Sequence, residues 1–317
     1  MRVLVTGGAG FIGSHVVETL LSAGARVAVV DNLSTGSGAN LPPGVPFYQV
    51  DVTAPALAEV FDRERPEVVV HLAAQAAAPR SVTDPFFDAT VNVTGTVNVL
   101  ECARRAGVRR FIYTSSAAVY GDPAYLPVDE THPVRPLSPY GASKYAAEVY
   151  LWTYQRLYGI AGVVLRLANV YGPRQDDAGE GRVVAIFCRR LREGAPPEIY
   201  GDGTQTRDFI YVDDVVAAIT ASLKRGAGEI LNISTGRATA VNDLCRLLLT
   251  VAGKEIAPLY KPPRPGGIRH SVLASDRARE VLLWAPRWDL TAGLRETYAA
   301  LCNARAVIPG GKSAAGS

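Results

Sequence analysis

Tyr140 and Lys144 stand four residues apart at the start of a stretch with helical period, so both side chains leave one face of a helix. An ammonium beside a phenol stabilises the phenolate and lowers its pKa. Such a tyrosine can take a proton from a substrate hydroxyl near neutral pH. With five lysines and fourteen tyrosines in the chain, one pair at this spacing can arise by chance, and a solvated helix face is the bland alternative. Position adds weight to the pair. It follows Phe111-Ile112-Tyr113, an apolar run that reads as a strand. Ser115-Ser116 comes directly after that run, where a hydroxyl can bond the same substrate oxygen. Two ordinary loop serines are the alternative, and the Tyr/Lys pair favours the functional reading.

A hydroxyl oxidation needs a hydride acceptor. Thr6-Gly7-Gly8-Ala9-Gly10-Phe11-Ile12-Gly13 follows a strand, Val3-Leu4-Val5, and opens a helical stretch over 12–23. Glycines let the backbone turn tightly against a pyrophosphate, and free N–H groups at the helix start hold the anion. Two registers fit, one on Gly8, Gly10 and Gly13 and one on Gly7, Gly10 and Gly13. A lone glycine pattern is weak, but strand, loop, helix and second strand stand in the right order. Asp31 ends that second strand, eighteen residues after Gly13. An acid there bonds the ribose hydroxyls and repels a 2′-phosphate. The following Asn32-Leu33-Ser34 offers no arginine or lysine for such a phosphate, so NAD is expected rather than NADP. Thr35 and Gly36 extend this cofactor loop. Asp51-Val52 falls at the adenine edge, and Leu72-Ala73-Ala74-Gln75 ends the fourth strand near the cofactor. His71 reads as a packed histidine.

These segments need a scaffold. Apolar runs at 26–30, 47–50, 68–70 and 163–165 read as further strands, and helical stretches are expected near 55–64, 87–106 and 139–158. Strand–helix alternation predicts an α/β fold, a Rossmann-type, doubly wound parallel sheet covered on both faces. Beyond 170, Pro and Gly cluster and short helices are expected near 181–193, 213–223, 241–252 and 291–304. The expected division is an NAD-binding domain over 1–170, a smaller mixed substrate-binding region over 171–305 with some chain crossing back, and a flexible tail over 306–317.

Composition excludes several classes. A net charge of +3 on 317 residues does not suggest a nucleic-acid or polybasic membrane partner. Cys102, Cys188, Cys245 and Cys302 lack metal-ligand spacing, so no metal and no disulfide framework are expected. The first strand begins at once, and no apolar run reaches membrane length, which makes a cytoplasmic protein the expectation.

The motifs together resemble the extended short-chain dehydrogenase/reductase superfamily. Within it the chain is most similar to the NAD-dependent nucleotide-sugar epimerases of the UDP-galactose 4-epimerase type, over about residues 1–305. Besides the glycine loop and Asp31-Asn32-Leu33, the resemblance rests on Ser115-Ser116-Ala117-Ala118-Val119-Tyr120-Gly121 and Tyr140-Gly141-Ala142-Ser143-Lys144. Asn169-Val170-Tyr171-Gly172-Pro173-Arg174-Gln175 and Arg207-Asp208-Phe209-Ile210-Tyr211-Val212-Asp213-Asp214 complete it. It implies that Ser116, rather than Ser115, is catalytic, that Tyr140 is the base, and that Lys144 holds the nicotinamide ribose. It places Asn92 and Ala168 at positions lining the cofactor, and Ser116, Asn169, Arg207 and Arg264 on the substrate. The two arginines suit a diphosphate.

The resemblance implies NAD-dependent epimerisation at C4 of a UDP-hexose through a transient 4-keto sugar. Dehydratases and decarboxylases of the superfamily carry an acid just after the catalytic hydroxyl residue; here those places are Ala117 and Ala118, which move no proton. A UDP-glucuronate 4-epimerase or another NAD-dependent sugar-nucleotide oxidoreductase is the alternative, and a non-catalytic NAD-binding regulator a third reading. Arg264-Pro265-Gly266-Gly267 lacks the acid the family carries at its fourth place, which bears on the nucleotide. In the resembling epimerases the residue seven places after the arginine at 264 gates the sugar 2-substituent; here it is Ser271, small enough to admit N-acetyl groups. The resemblance also implies a homodimer, formed through the long helices near 87–106 and 139–158.

Overall fold

The computed structural model describes residues 1–176, 182–263 and 268–303. Arg264, Gly267 and the tail over 306–317 lie outside the described residues. Six strands, β1 (Arg2–Thr6), β2 (Arg26–Asp31), β3 (Phe47–Gln49), β4 (Val68–His71), β5 (Arg110–Ser116) and β6 (Ala161–Leu167), form a parallel sheet with β11 (Ile230–Ile233). The order is β11-β6-β5-β4-β1-β2-β3. The order in which strands are added switches from one side of β1 to the other, between β1 and β4, which leaves a crevice outside their carboxyl ends.

The strands are apolar on both sides because both faces are covered. Val3 and Val5 of β1 face Val16, Val17 and Leu20 of α1 (Phe11–Ser22). Leu4 faces the other way, into a cluster with Phe61 of α2 (Leu57–Glu64), Leu100 of α5 (Gly95–Arg105) and Leu151 of α6 (Pro139–Tyr158). The α6 bounds follow from local chemistry. Ser138 caps the start by accepting from the Gly141 amide at 3.2 Å, Pro139 suits the first turn, and Gly159 ends it at φ 72°.

The helix expected over 87–106 is interrupted. α3 (Ala78–Thr83) precedes α4 (Pro85–Ala89), which is capped by Asp84; a π-helical turn over Thr90–Thr94 follows, and only then α5. The wider turn carries Asn92 into the interior.

The later part holds α7 (Val183–Arg192), α8 (Val212–Ser222), α9 (Val241–Ala252), α10 (Asp276–Leu282) and α11 (Leu290–Asn303). Its short strands pair as β7 (Asn169–Tyr171) with β10 (Phe209–Tyr211), β8 (Glu198–Tyr200) with β13 (Leu259–Lys261), and β9 (Thr206–Arg207) between β12 (Thr239–Ala240) and β14 (His270–Ser271). β11 comes from this same stretch yet completes the large sheet against β6. Its four residues carry a buried Asn232, too short and too broken a run to show as a strand in sequence. Among the described residues, no helix is long and apolar enough to cross a membrane.

Candidate active site

A cleft of about 1160 Å³ opens at the crevice between β1 and β4 and runs toward the short strands of the later part. It exceeds the ~300–1,000 Å³ of an ordinary single-ligand pocket. Its walls hold Gly7, Gly10, Phe11, Ile12 and Gly13 at one end and Asn169 and Arg207 at the other, with Ser116, Tyr140 and Lys144 also in its lining.

The glycine loop is shaped by contact. Gly7 has φ 71°, and a Cβ there would stand 2.7 Å from the Ala73 amide nitrogen. A Cβ on Gly13 would lie 2.0 Å from Gly7 O, so only glycine lets α1 start this close to the turn. Gly10 is the N-cap of α1, no side chain caps it, and the first turn has no acid. Unclaimed N–H groups and the helix dipole thus face the cleft, an environment that suits a pyrophosphate. Asp31 is 8 % exposed. Its Oδ2 accepts from the Ala9 amide at 3.0 Å and its Oδ1 from Leu33 at 2.8 Å. Asn32 donates to Asp51 Oδ2 at 2.7 Å. Burial raises the Asp51 carboxyl, but hydrogen bonds from Thr53 and Asn32 outweigh it and leave the group below its usual value. Ser34, Thr35, Val52, Leu72, Ala73, Ala74 and Ala168 also line the cleft. These residues fit an NAD molecule: a capless helix start, an acid at the end of β2, and no cation in the loop behind it.

At the reaction end, β5 stops at Ser116, whose hydroxyl caps the 3₁₀ turn Ala117–Val119 by accepting from the Ala118 amide at 3.2 Å. The start of α6 brings Tyr140 against it. The sequence expectation that Lys144 lowers the Tyr140 phenol needs correction. The phenol lies above its ordinary value, because burial raises it; the hydrogen bond with Ser116 lowers it, the Asp88 carboxylate raises it, and Arg182 lowers it. Lys144 does not figure among these influences. It is 4 % exposed, its Nζ donates to Thr114 O at 2.9 Å, and it sits 5.0 Å from the Tyr113 ring centroid. Burial brings Lys144 down to about 8, against the pull of Asp88 and Glu148.

Several expected residues do not line the cleft. Gln75 and Asn92 are buried behind it, joined by Gln75 N–H to Asn92 Oδ1 at 2.8 Å. Asn92 Nδ2 goes on to Ser143 Oγ at 3.0 Å and Asp88 Oδ1 at 3.1 Å. Leu33 and Gly36 support the loop from outside the lining. Ser271, on β14, is the register partner of Arg207 and is not among the lining residues. His71 is 1 % exposed and lies between the Thr6 and Thr96 hydroxyls at 2.6 and 3.0 Å. Ser115 Oγ is engaged by Glu148, which leaves Ser116 as the serine next to Tyr140.

The structure also adds residues to the wall: Thr114, Leu137, Arg174, Asp176, Arg182 and Tyr200. Arg174 lies in the motif over 169–175, directly after Gly172-Pro173, and Leu137 sits beside the Ser138-Pro139 pair that opens α6. Tyr200 ends β8 on a separate sheet and had no local signal.

Residues 3–234 match the NAD dependent epimerase/dehydratase family. The chain is 46 % identical over 304 residues to the UDP-glucose 4-epimerase of Mycolicibacterium smegmatis, covering 94 % of this chain and 97 % of that one. The UDP-glucose 4-epimerase of Thermotoga maritima, solved with UDP-glucose, superposes with a TM-score of 0.94 at 45 % identity, over 96 % of this chain and 100 % of that one. The Thermus thermophilus UDP-glucose 4-epimerase in complex with NAD gives 0.91 at 44 % identity, again over 96 % and 100 %. On its glycine loop, its paired Tyr140 and Ser116, and these matches along nearly its whole length, the chain belongs to the NAD-dependent epimerase/dehydratase family.

Proposed function

We propose that the protein inverts C4 of a UDP-hexose, interconverting UDP-glucose and UDP-galactose with NAD as its cofactor. The observation that carries this reading is one cleft holding the Ser116–Tyr140 pair, with only alanine at 117 and 118 beside it. NAD, when bound, supplies a hydride acceptor that returns what it has taken. The glycine loop and Asp31 hold its phosphates and adenosine ribose, and Lys144 its nicotinamide ribose. Tyr140 takes the proton of the sugar 4-hydroxyl and gives it back, while Ser116 orients that oxygen. Burial that raises the phenol also strengthens the field of any positive charge placed beside it. Asn169 faces the sugar side. The Arg207 guanidinium, pinned by Thr206 O at 2.8 Å and Ile268 O at 2.7 Å, meets the diphosphate, with Arg264 as a second cation. The exposed ring of Tyr200 on the same wall suits the base.

The test is incubation with UDP-glucose, then with UDP-N-acetylglucosamine and UDP-glucuronate, followed by separation of epimers. UDP-galactose without net NADH is the expected result. Accumulating NADH would make the protein a dehydrogenase, and turnover of UDP-glucuronate alone would replace the substrate.

A homodimer belongs to the same reading. Tyr145, Val149 and Trp152 form an exposed stripe at i, i+4 and i+7 on α6, with Trp152 62 % exposed. Sedimentation of Trp152→Asp should show monomers; an unchanged mass would move the interface elsewhere. Unpaired cysteines suit a reducing cytoplasm, which cell fractionation checks.

A further inference from the structure

Three side chains of α6, spaced one turn apart, meet three consecutive residues of β5. Tyr140 shares a hydrogen bond with Ser116, Lys144 Nζ donates to Thr114 O, and Ser115 Oγ donates to Glu148 Oε1. The first two contacts involve reaction groups, whereas Glu148 has no part in the chemistry described so far. Its carboxylate is buried and held from the far side by Arg166 of β6, Nε to Oε1 at 3.0 Å and Nη2 to Oε2 at 2.6 Å. Arg166 is 2 % exposed and lies 4.7 Å from the Tyr120 ring centroid, and the Tyr120 hydroxyl donates to Asn232 Oδ1 of β11 at 2.7 Å.

As a source of stability this ion pair is poor. Two charges this deep lose their hydration, and apolar residues of the same volume are often no worse. Among the described residues, Arg166 Nη1 has no hydrogen-bond partner. The carboxylate stands one helical turn beyond Lys144, within reach of its charge.

We infer that Glu148, held by Arg166, is a positioning residue for the reaction proposed above: it locks α6 against the end of β5 and keeps the Lys144 ammonium charged. The groups that face Lys144 are Glu148 on α6, Asp88 on α4, Tyr113 on β5 and His71 on β4, with Arg166 behind Glu148. Burial drives its proton off, and the Asp88 and Glu148 carboxylates oppose that. Asp88 is already committed to Ser143, Gln75 and Asn92.

Five lysines are few enough to watch Lys144 directly. Lysine labelled with ¹³C at the ε-carbon, with the Lys144 signal assigned by its loss in Lys144→Met, is titrated in the NAD-loaded protein. The variants are Glu148→Gln and the double variant Glu148→Gln/Arg166→Met, which leaves no unpaired buried charge should the single variant fail to fold. The Lys144 midpoint should fall by about one unit in Glu148→Gln, the size of a lost nearby opposite charge, and by less in the double variant, which also loses the Arg166 charge; the alkaline loss of kcat should move down with it in each. An unmoved midpoint, with kcat lowered by one factor at every pH, would reduce Glu148 to scaffold and overturn the inference. Because the titration needs no substrate, an inactive wild type would overturn the epimerase reading without touching this result.

Discussion

The Ala9 amide donates to Asp31 Oδ2 at 3.0 Å, so the glycine loop and the acid at the end of β2 are one unit. Asp31 therefore has two tasks in the reading proposed here, to hold the loop and to meet a ribose.

Asp31→Ala should raise the Kd for NADH about 10–100-fold, the scale of one or two hydrogen bonds to a charged group. NADPH should gain relative to NADH, because the charge that repels its phosphate is gone. Fluorescence titration with both nucleotides reads this. Unchanged discrimination would show that Asp31 does not choose the cofactor.

Tyr140→Phe should lower kcat about 10²–10⁴-fold, the usual reach of a positioned proton donor or acceptor. NAD should stay bound, since the loop and Asp31 are untouched. Epimer separation gives the rate, and cofactor released by denaturation gives the occupancy. Turnover near the wild-type rate would remove Tyr140 from the mechanism.

His71 sets an acid limit on stability. Burial, helped by the Lys144 charge, takes its imidazole from 6.5 down to about 3. Above pH 6.5 it is neutral in folded and unfolded chains alike. Below that the unfolded chain binds a proton that the folded one refuses, so stability falls as pH drops from 6.5 toward 3. Between pH 7 and 5 the cost is about 2 kcal/mol. Urea unfolding at both pH values should show wild type losing more than His71→Gln, and equal losses would exclude His71 as the cause.

Ser271 pairs in register with Arg207. Its small side chain leads to the expectation that UDP-N-acetylglucosamine is epimerised. Ser271→Tyr should reduce that activity at least about tenfold more than activity on UDP-glucose, the low end of what a single methylene contact is worth. Rejection of the N-acetyl substrate by the wild type would end the proposal.

Much of the sheet could be read from sequence because a buried parallel strand is a short apolar run between helical stretches. Val3-Leu4-Val5 and Val68-Val69-Val70 show this, and so does α6, whose start carries Ser138-Pro139 and whose end carries Gly159. The reading weakened where partners are distant in the chain. Spacing and position after the Phe111-Ile112-Tyr113 strand pair Lys144 with Tyr140, yet its ammonium is held by Thr114 O, thirty residues earlier. Gln75 and Asn92 were placed toward the cofactor, but a π-helical turn, which leaves no mark in a helical period, takes Asn92 behind the wall. Tyr200 and Arg182 reach the cleft only because the later part of the chain folds over the first sheet.

That folding-over makes the halves inseparable. The Val164–Leu167 edge of β6 is covered by Ile230–Ile233, sixty-six residues further along the chain. A fragment ending near 170 would leave the Val164–Leu167 edge of β6 with unpaired backbone groups and largely apolar side chains, the kind of edge on which chains stack into aggregates. An attempt to graft the NAD-binding half alone onto another protein would have to supply a substitute for that missing strand.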